Sequence, residues 1–227
     1  MLDILFRDEH LIAINKPHGL LVHRSPIAID AEEFALQMLR DQIGQKVNPV
    51  HRIDRKTGGL LLFAFDKPTE IAMQQQFMEN QVSKSYLAIV RGYTDDNGEI
   101  DYALRKENGT LQEAFTAYTT LQRAEIDVPL GAHATSRYSL LRVVPTTGRM
   151  HQIRKHLSHI FHPIIGDRTH GCNKQNKLFK EKWDMTTMLL HAENLVFKHP
   201  VSGEQVTINA PVLPGFKQVM DMMGWAL

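Results

Sequence analysis

His51-Arg52-Ile53-Asp54-Arg55-Lys56-Thr57-Gly58-Gly59-Leu60-Leu61-Leu62-Phe63-Ala64-Phe65 is the stretch from which the fold is read. Two glycines divide it. After them runs a short, continuous apolar segment, closed by Asp66-Lys67-Pro68. A run of this length between turn residues predicts a strand buried on both faces. Before the glycines a single carboxylate, Asp54, sits among Arg52, Arg55 and Lys56. Asp54 is therefore expected in a polar loop at the mouth of a core strand, where rigid elements often hold catalytic groups. The neighbouring cations favour its ionised form. That suits a nucleophile or an electrostatic partner and argues against a general acid. The same cations suit phosphate. On local chemistry alone, an Asp making ordinary loop salt bridges is the stronger reading, because exposed charged loops are common.

Outward from this strand, Ile4-Leu5-Phe6 and Leu11-Ile12-Ala13-Ile14 flank a polar turn and predict a hairpin, ended by Lys16-Pro17-His18-Gly19. Residues 31–43 read as a helix with Phe34, Leu36, Met38, Leu39 and Ile43 on an apolar face. Residues 68–80 read as a second, with Pro68 near its start. Ser85–Arg91 reads as a strand, with Tyr86, Ala88 and Val90 on one face. Further strands are expected near 112–122, 137–144, 187–197 and 205–209, and a last helix over 214–223. The stretches 95–110, 125–136 and 168–182 read as polar surface excursions. Strands outnumber helices without alternating with them. The expectation is an α+β fold around a mixed, mainly antiparallel sheet, forming one domain over 1–227.

Apolar residues make up 43% of the 227, and charged residues 22%, which fits a folded chain with one good core. One cysteine, Cys172, excludes an intramolecular disulfide. No apolar run reaches membrane-spanning length and no leader pattern opens the chain, so a cytoplasmic protein without a membrane partner is expected. Nothing in the sequence points to an obligate protein partner. Net charge is only +1, but its distribution is uneven: residues 137–182 hold ten basic and two acidic residues, against 16 and 23 elsewhere. That asymmetry predicts a local phosphate-binding surface.

The segment Thr147-Gly148-Arg149-Met150-His151-Gln152-Ile153-Arg154-Lys155-His156-Leu157 adds a helix from 150 onward, with Met150, Ile153, Leu157 and Ile160 on its buried face. Arg154 lies at the edge of that face. A partly buried arginine needs an anion or several acceptors. Asp54 is one candidate; a snorkelling side chain with a wet head is the other reading. His151, His156, His159 and His162 lie close together, yet form no His-Glu-x-x-His pattern, and no metal site is expected.

His51–Gly59 resembles the catalytic signature of RluA-type pseudouridine synthases, His-Arg-Leu-Asp-x-x-Thr-Ser-Gly. Ile53 replaces Leu, a volume-conserving change. Gly58 replaces Ser, removing a hydroxyl and loosening the backbone. Thr147–His156 resembles the family's Thr-Gly-Arg-x-His-Gln-Leu/Ile-Arg-x-His. Lys84–Gly92 resembles Lys-x-Tyr-x-Ala-x-Val-x-Gly, Asn15–His23 resembles Asn-Lys-Pro-x-Gly-x-x-Val-His, and His162–Asp167 resembles His-Pro-Ile-x-Gly-Asp. The resemblance runs from near residue 10 to near residue 210, with the motifs in the family's order.

The resemblance implies an isomerase that converts uridine to pseudouridine in RNA, on a flipped-out base, without metal or organic cofactor. Asp54 is then the catalytic carboxylate, attacking C1′ or removing the 2′ proton. Arg154 is its partner, and Tyr86 lies against the uracil and serves late proton transfer. Arg52 fills the space the base leaves. Arg55, Lys84, Arg149, His151 and Ile153 are carried over as substrate-binding positions. Many members have an N-terminal S4 domain; here the motifs begin within twenty residues of Met1 and none is expected. Arg40–Gln45 and Thr169–Asn176 look most like the branch that modifies uridine 65 of tRNA. A ribosomal RNA site, or an RNA-binding module without catalysis, are the alternatives.

Overall fold

A computed structural model describes residues 1–23 and 33–226. In chain order the elements are β1 (Asp3–Arg7), β2 (Leu11–Lys16), α1 (Ala35–Ile43), β3 (Asn48–Pro49), β4 (Gly58–Ala64), α2 (Lys67–Met78), β5 (Ser83–Arg91), β6 (Asn97–Asp101), β7 (Leu104–Arg105), β8 (Leu111–Gln112), β9 (Phe115–Ile126), β10 (Ser136–Pro145), α3 (Gln152–His159), α4 (Asn173–Trp183), β11 (Leu190–Lys198), β12 (Gln205–Asn209) and α5 (Pro214–Met222). The pairs β1–β2, β2–β4, β3–β4, β5–β10, β9–β10, β6–β9, β7–β8 and β11–β12 are antiparallel. This is the α+β class expected from the sequence. No helix of the described residues is long and apolar enough to cross a membrane.

The backbone groups into two compact units. The first comprises Met1–Lys84 and Ala192–Leu213. Its strands run β1-β2-β4-β11, with β12 on β11 and β3 on β4. The apolar run after Gly59 is β4, buried along its whole length. Ile12 and Ile14 of β2 stand opposite Phe63 and Leu61. These four form one core with Ala35 and Leu39 of α1, while α2 packs on β4 and β3. Leu60, Leu61, Leu62 and Phe63 are each 2% exposed or less, and each such side chain contributes about 1.5–3 kcal/mol. Asp66 caps α2, accepting from the backbone N–H of Thr69 at 2.8 Å. The helix expected over 31–43 is seen as Ala35–Ile43; residues 31 and 32 lie outside the described residues.

The second unit comprises Ser85–His191 and Pro214–Leu227. Its strands run β5-β10-β9-β6. Ala88, Val90, Leu141 and Val143 build a core with Ile153 and Leu157 of α3, and Tyr86 and Ile160 pack against it. Tyr86 stands opposite Val143 and Ala88 opposite Leu141, so the face predicted for this strand is the observed one.

Three expectations are corrected. The stretch 95–110 carries β6 and β7; β6 pairs with β9 and has only Ile100 fully buried, so it reads as polar in sequence. Residues 168–182 hold α4, whose buried face is Gln175 and Phe179. The hydroxyl of Tyr138 donates to Gln175 at 2.7 Å and its ring meets Phe179 edge-on, docking a helix that is otherwise charged. Met150 precedes α3 and is 54% exposed, outside the face formed by Ile153 and Leu157.

Candidate active site

Asp54 lies half-buried in the loop before β4. Its carbonyl accepts from the N–H of Thr57 at 3.0 Å, closing a turn. The segment after β2 pins the loop from outside. Lys16 is fully buried, and its Nζ donates to the carbonyls of Pro17 (2.9 Å), Leu20 (2.8 Å) and Arg55 (3.1 Å). Burial pushes Lys16 down to about 7, against the pull of the Asp54 charge. Three carbonyl acceptors match the three N–H bonds of an ammonium, so the geometry favours the charged form. Gly19 donates its N–H to the carbonyl of Arg55 at 2.9 Å, and Arg55 Nε donates back to the Gly19 carbonyl at 3.0 Å. His18 Nδ1 bonds the Lys56 carbonyl at 2.9 Å; an N–H facing a carbonyl must donate, which fixes the tautomer.

From inside, β4 holds the start of the loop. Leu62 donates its N–H to Nε2 of His51 at 3.1 Å, and Val50 donates to the Leu62 carbonyl at 3.2 Å. The His51 ring stacks on Phe77. Burial, with the Lys84 charge, pushes His51 down to about 3. A neutral ring is also what an accepting Nε2 requires. Ile53 belongs to the core of the first unit. Arg52 is exposed, and Lys84 is half-buried with its ammonium pushed down by burial.

Gly58 and Gly59 explain the end of the loop. Gly59 has φ +100°, and a Cβ there would lie 2.7 Å from the backbone nitrogen of Ala192 in β11. Only glycine allows that approach. A Cβ on Gly58 would lie 2.5 Å from Leu213 Cδ1 and 2.8 Å from the His18 ring. The missing serine of the signature is thus accompanied by an imidazole in the space that a side chain at 58 would enter.

Tyr86, Arg149, His151, Ile153 and Arg154 fall in the second unit. Arg154, 5% exposed, forks onto Asp167, 1% exposed, through Nε–Oδ2 at 2.7 Å and Nη2–Oδ1 at 2.8 Å. The anion that a buried Arg154 requires is met inside this unit by Asp167, which the sequence marks only as a turn residue. Asp167 also accepts from the N–H groups of Thr169 and His170. Burial pushes its carboxyl up, but the Arg154 guanidinium and these N–H groups outweigh that and hold it below the usual range. Gln152 Oε1 accepts from Thr147 Oγ1 at 2.6 Å and from the N–H of Arg149 at 3.0 Å, while its Nε2 donates to the Phe115 carbonyl. The Thr147–Arg149 turn is therefore built around one glutamine.

Arg149 Nε donates to the Glu113 carbonyl at 3.0 Å. His151 has φ +56°, and its Nδ1 is 3.0 Å from Nε2 of His170. Ile153, carried over as a substrate-binding position, is 6% exposed in the core. His156 is buried between Thr116 Oγ1 and the Tyr102 carbonyl, a structural role.

The sequence reading missed Lys16, His18 and Gln152 as organisers. Each stands inside a quoted motif, but nothing in composition marks a lysine as fully buried.

The chain matches the family model described as RNA pseudouridylate synthase over residues 10–159. It is 42% identical over 236 residues to a protein named tRNA pseudouridine synthase C from Vibrio vulnificus, covering 99% of this chain and 96% of that one. With its namesake from Haemophilus influenzae it is 43% identical over 236 residues, covering 99% of each. In fold it is similar to the solved structure of human RNA Pseudouridylate Synthase Domain Containing 1, with a TM-score of 0.75 at 22% identity, over 100% of this chain and 96% of that one.

Proposed function

The chain belongs to the RNA pseudouridylate synthase family and is a pseudouridine synthase of the isomerase class; from that premise we propose that its substrate is tRNA, that the target is uridine 65, and that it works in the cytoplasm. What supports tRNA is likeness along the whole chain to proteins named tRNA pseudouridine synthase C.

The reaction breaks the N1–C1′ bond of a uridine and joins C1′ to C5. The C5 proton is lost and N1 ends protonated, so the change is an isomerisation. The base must leave the stack to expose both edges. We assign Asp54 as the carboxylate that begins it, by attack on C1′ or by removal of the 2′ proton. The observation that carries this assignment is the loop itself. Its backbone is held by Lys16, His18, Gly19 and His51, so the Asp54 main chain is fixed before substrate arrives, as positioned catalysis requires. Tyr86 and Arg154 are the other catalytic residues in the roles the resemblance implies, with Arg52, Arg55, Lys84, Arg149 and His151 as substrate-binding positions.

The test is site-resolved pseudouridine mapping after the protein is added to unmodified tRNA and, separately, to unmodified ribosomal RNA. The proposal expects one new pseudouridine, at position 65 of tRNA. Modification of ribosomal RNA alone would keep the chemistry and overturn the substrate.

A further inference from the structure

Two imidazoles of the second unit face one another. His151 Nδ1 is 3.0 Å from His170 Nε2, with ring centroids 5.2 Å apart and planes at 72°. A neutral imidazole carries one N–H and one lone pair, so in this contact one ring donates and the other accepts. Burial pushes the His170 ring below the usual histidine range; Asp167 pulls against that, and the Arg154, His151 and Lys155 charges add to it. Both rings are half-buried, which leaves each a face toward solvent. The reaction as described gives His170 no role.

The main chain of His151 is held independently of its ring. It takes φ +56° and ψ 27°, a conformation that side-chain-bearing residues rarely adopt and that persists where the surroundings impose it. Its carbonyl accepts from the Lys155 N–H at 2.9 Å, and the next residue, Gln152, donates its N–H to the Arg149 carbonyl at 3.0 Å. These bonds leave open the rotation of the imidazole about its side-chain torsions. The contact with His170 restricts that rotation.

His170 is itself braced. Its N–H donates to Asp167 Oδ1 at 3.1 Å, and Asp167 is the carboxylate onto which Arg154 forks. Asn176 Nδ2 donates to the Asp167 carbonyl at 2.8 Å, and Gly166 donates its N–H to Asn176 Oδ1 at 2.8 Å. A Cβ on Gly171 would collide with the Asp167 carbonyl, so the chain passes close over its own turn directly after His170. His151 caps α3 and Arg154 stands three residues on. One turn therefore meets both: its carboxylate takes the guanidinium, and its imidazole meets the imidazole.

Resting on the reading of His151 as a substrate-binding position and of tRNA as substrate, we infer that His170 is a positioning residue. Through the N–H···N bond it fixes the angle at which the His151 ring meets the flipped-out nucleotide. The 167–170 turn thereby sets that ring and Arg154 as one piece.

The test is single-turnover conversion of bound RNA by the wild type, His170→Ala, His170→Gln, His151→Ala and the His151→Ala/His170→Ala double variant. Affinity and melting temperature are taken on the same samples. Rates are compared on whichever of unmodified tRNA and unmodified ribosomal RNA the wild type converts, so failure of the tRNA reading leaves the comparison standing. His170→Ala should slow conversion about tenfold, within the roughly hundredfold that a misplacement of about 1 Å can cost. Affinity should stay within about twofold, because contacts to many phosphates set it. His170→Gln keeps a group able to donate or accept and should recover most of the rate. In the His151→Ala background, His170→Ala should cost nothing further, the mark of a residue acting through another. Conversion by His170→Ala at the wild-type rate, an equal fractional loss in both backgrounds, or a loss in His170→Gln as large as in His170→Ala would overturn the inference. If the alanine variant melts early, His170→Gln against His170→Leu, close in size, decides: a slower leucine variant supports the inference and equal rates overturn it. His151→Ala at the wild-type rate would sink the substrate-binding reading of His151 and the inference with it, whereas the failures above leave His151→Ala slow.

Discussion

Replacing Gly58 by Ser would restore the residue that the family signature usually carries, and the structure expects it to destabilise this chain. The new Cβ would stand 2.8 Å from the His18 ring and 2.5 Å from Leu213 Cδ1. Leu213 presents the far end of a flexible side chain and can give way. The ring is tied to the Lys56 carbonyl by a 2.9 Å bond, and moving it forfeits about 1 kcal/mol of hydrogen bonding. Overpacking of this kind costs about 1–3 kcal/mol in all. For a chain of this size that is a fall in Tm of roughly 2–12 °C, at about 2–4 °C per kcal/mol.

The assay is thermal unfolding of Gly58→Ser, His18→Ala and the double variant. In the His18→Ala background the serine meets no ring, and its penalty should shrink by about 1 kcal/mol or more, a coupling within the range for residues in contact. If Gly58→Ser melts with the wild type, or its penalty is the same in both backgrounds, the reasoning that His18 occupies the serine's space is refuted.

Asp167→Ala removes the carboxylate that accepts from Nε and Nη2 of Arg154 and from the N–H groups of Thr169 and His170, and the loss should lower the urea midpoint. Because Asp167 is held below its usual range, its contribution is present at neutral pH and is lost as pH falls through the folded value. Lys16→Met leaves three loop carbonyls without their donor and should lower the urea midpoint. Lys16 is depressed from 10.5 to about 7 in the folded chain, so the unfolded chain binds more protons between those values and wild-type stability gains with pH there. Lys16→Met should flatten that gain, and an unchanged pH dependence would show that Lys16 keeps its proton throughout.

The parts of the fold legible in sequence are those where apolar pattern and turn residues agree. Gly58-Gly59 before Leu60–Ala64 and Asp66-Lys67-Pro68 after it bound β4 closely, and Gln205–Asn209 is a strand as read. Elements held by a few contacts were not legible. α4 buries Gln175 and Phe179 and bonds Gly166 and Asp167 through Asn176, and β6 is mostly polar because it lies at the end of its unit's strand order.

At the site, Asp54 and Tyr86 stand where their motifs place them, in the loop before β4 and on β5. The fork between Arg154 and Asp167 spans 13 residues that no local period connects. Lys16 gave no signal because lysine heads are ordinarily wet, and only the folded backbone brings three carbonyls around this one.

The central claim is that Asp54 carries the chemistry and not the binding. The direct measurement is single-turnover conversion of bound, unmodified tRNA by the wild type and by Asp54→Asn, with affinity measured on the same samples. The account predicts that the variant binds tRNA as the wild type does and forms no pseudouridine. Conversion at the wild-type rate by Asp54→Asn would contradict it.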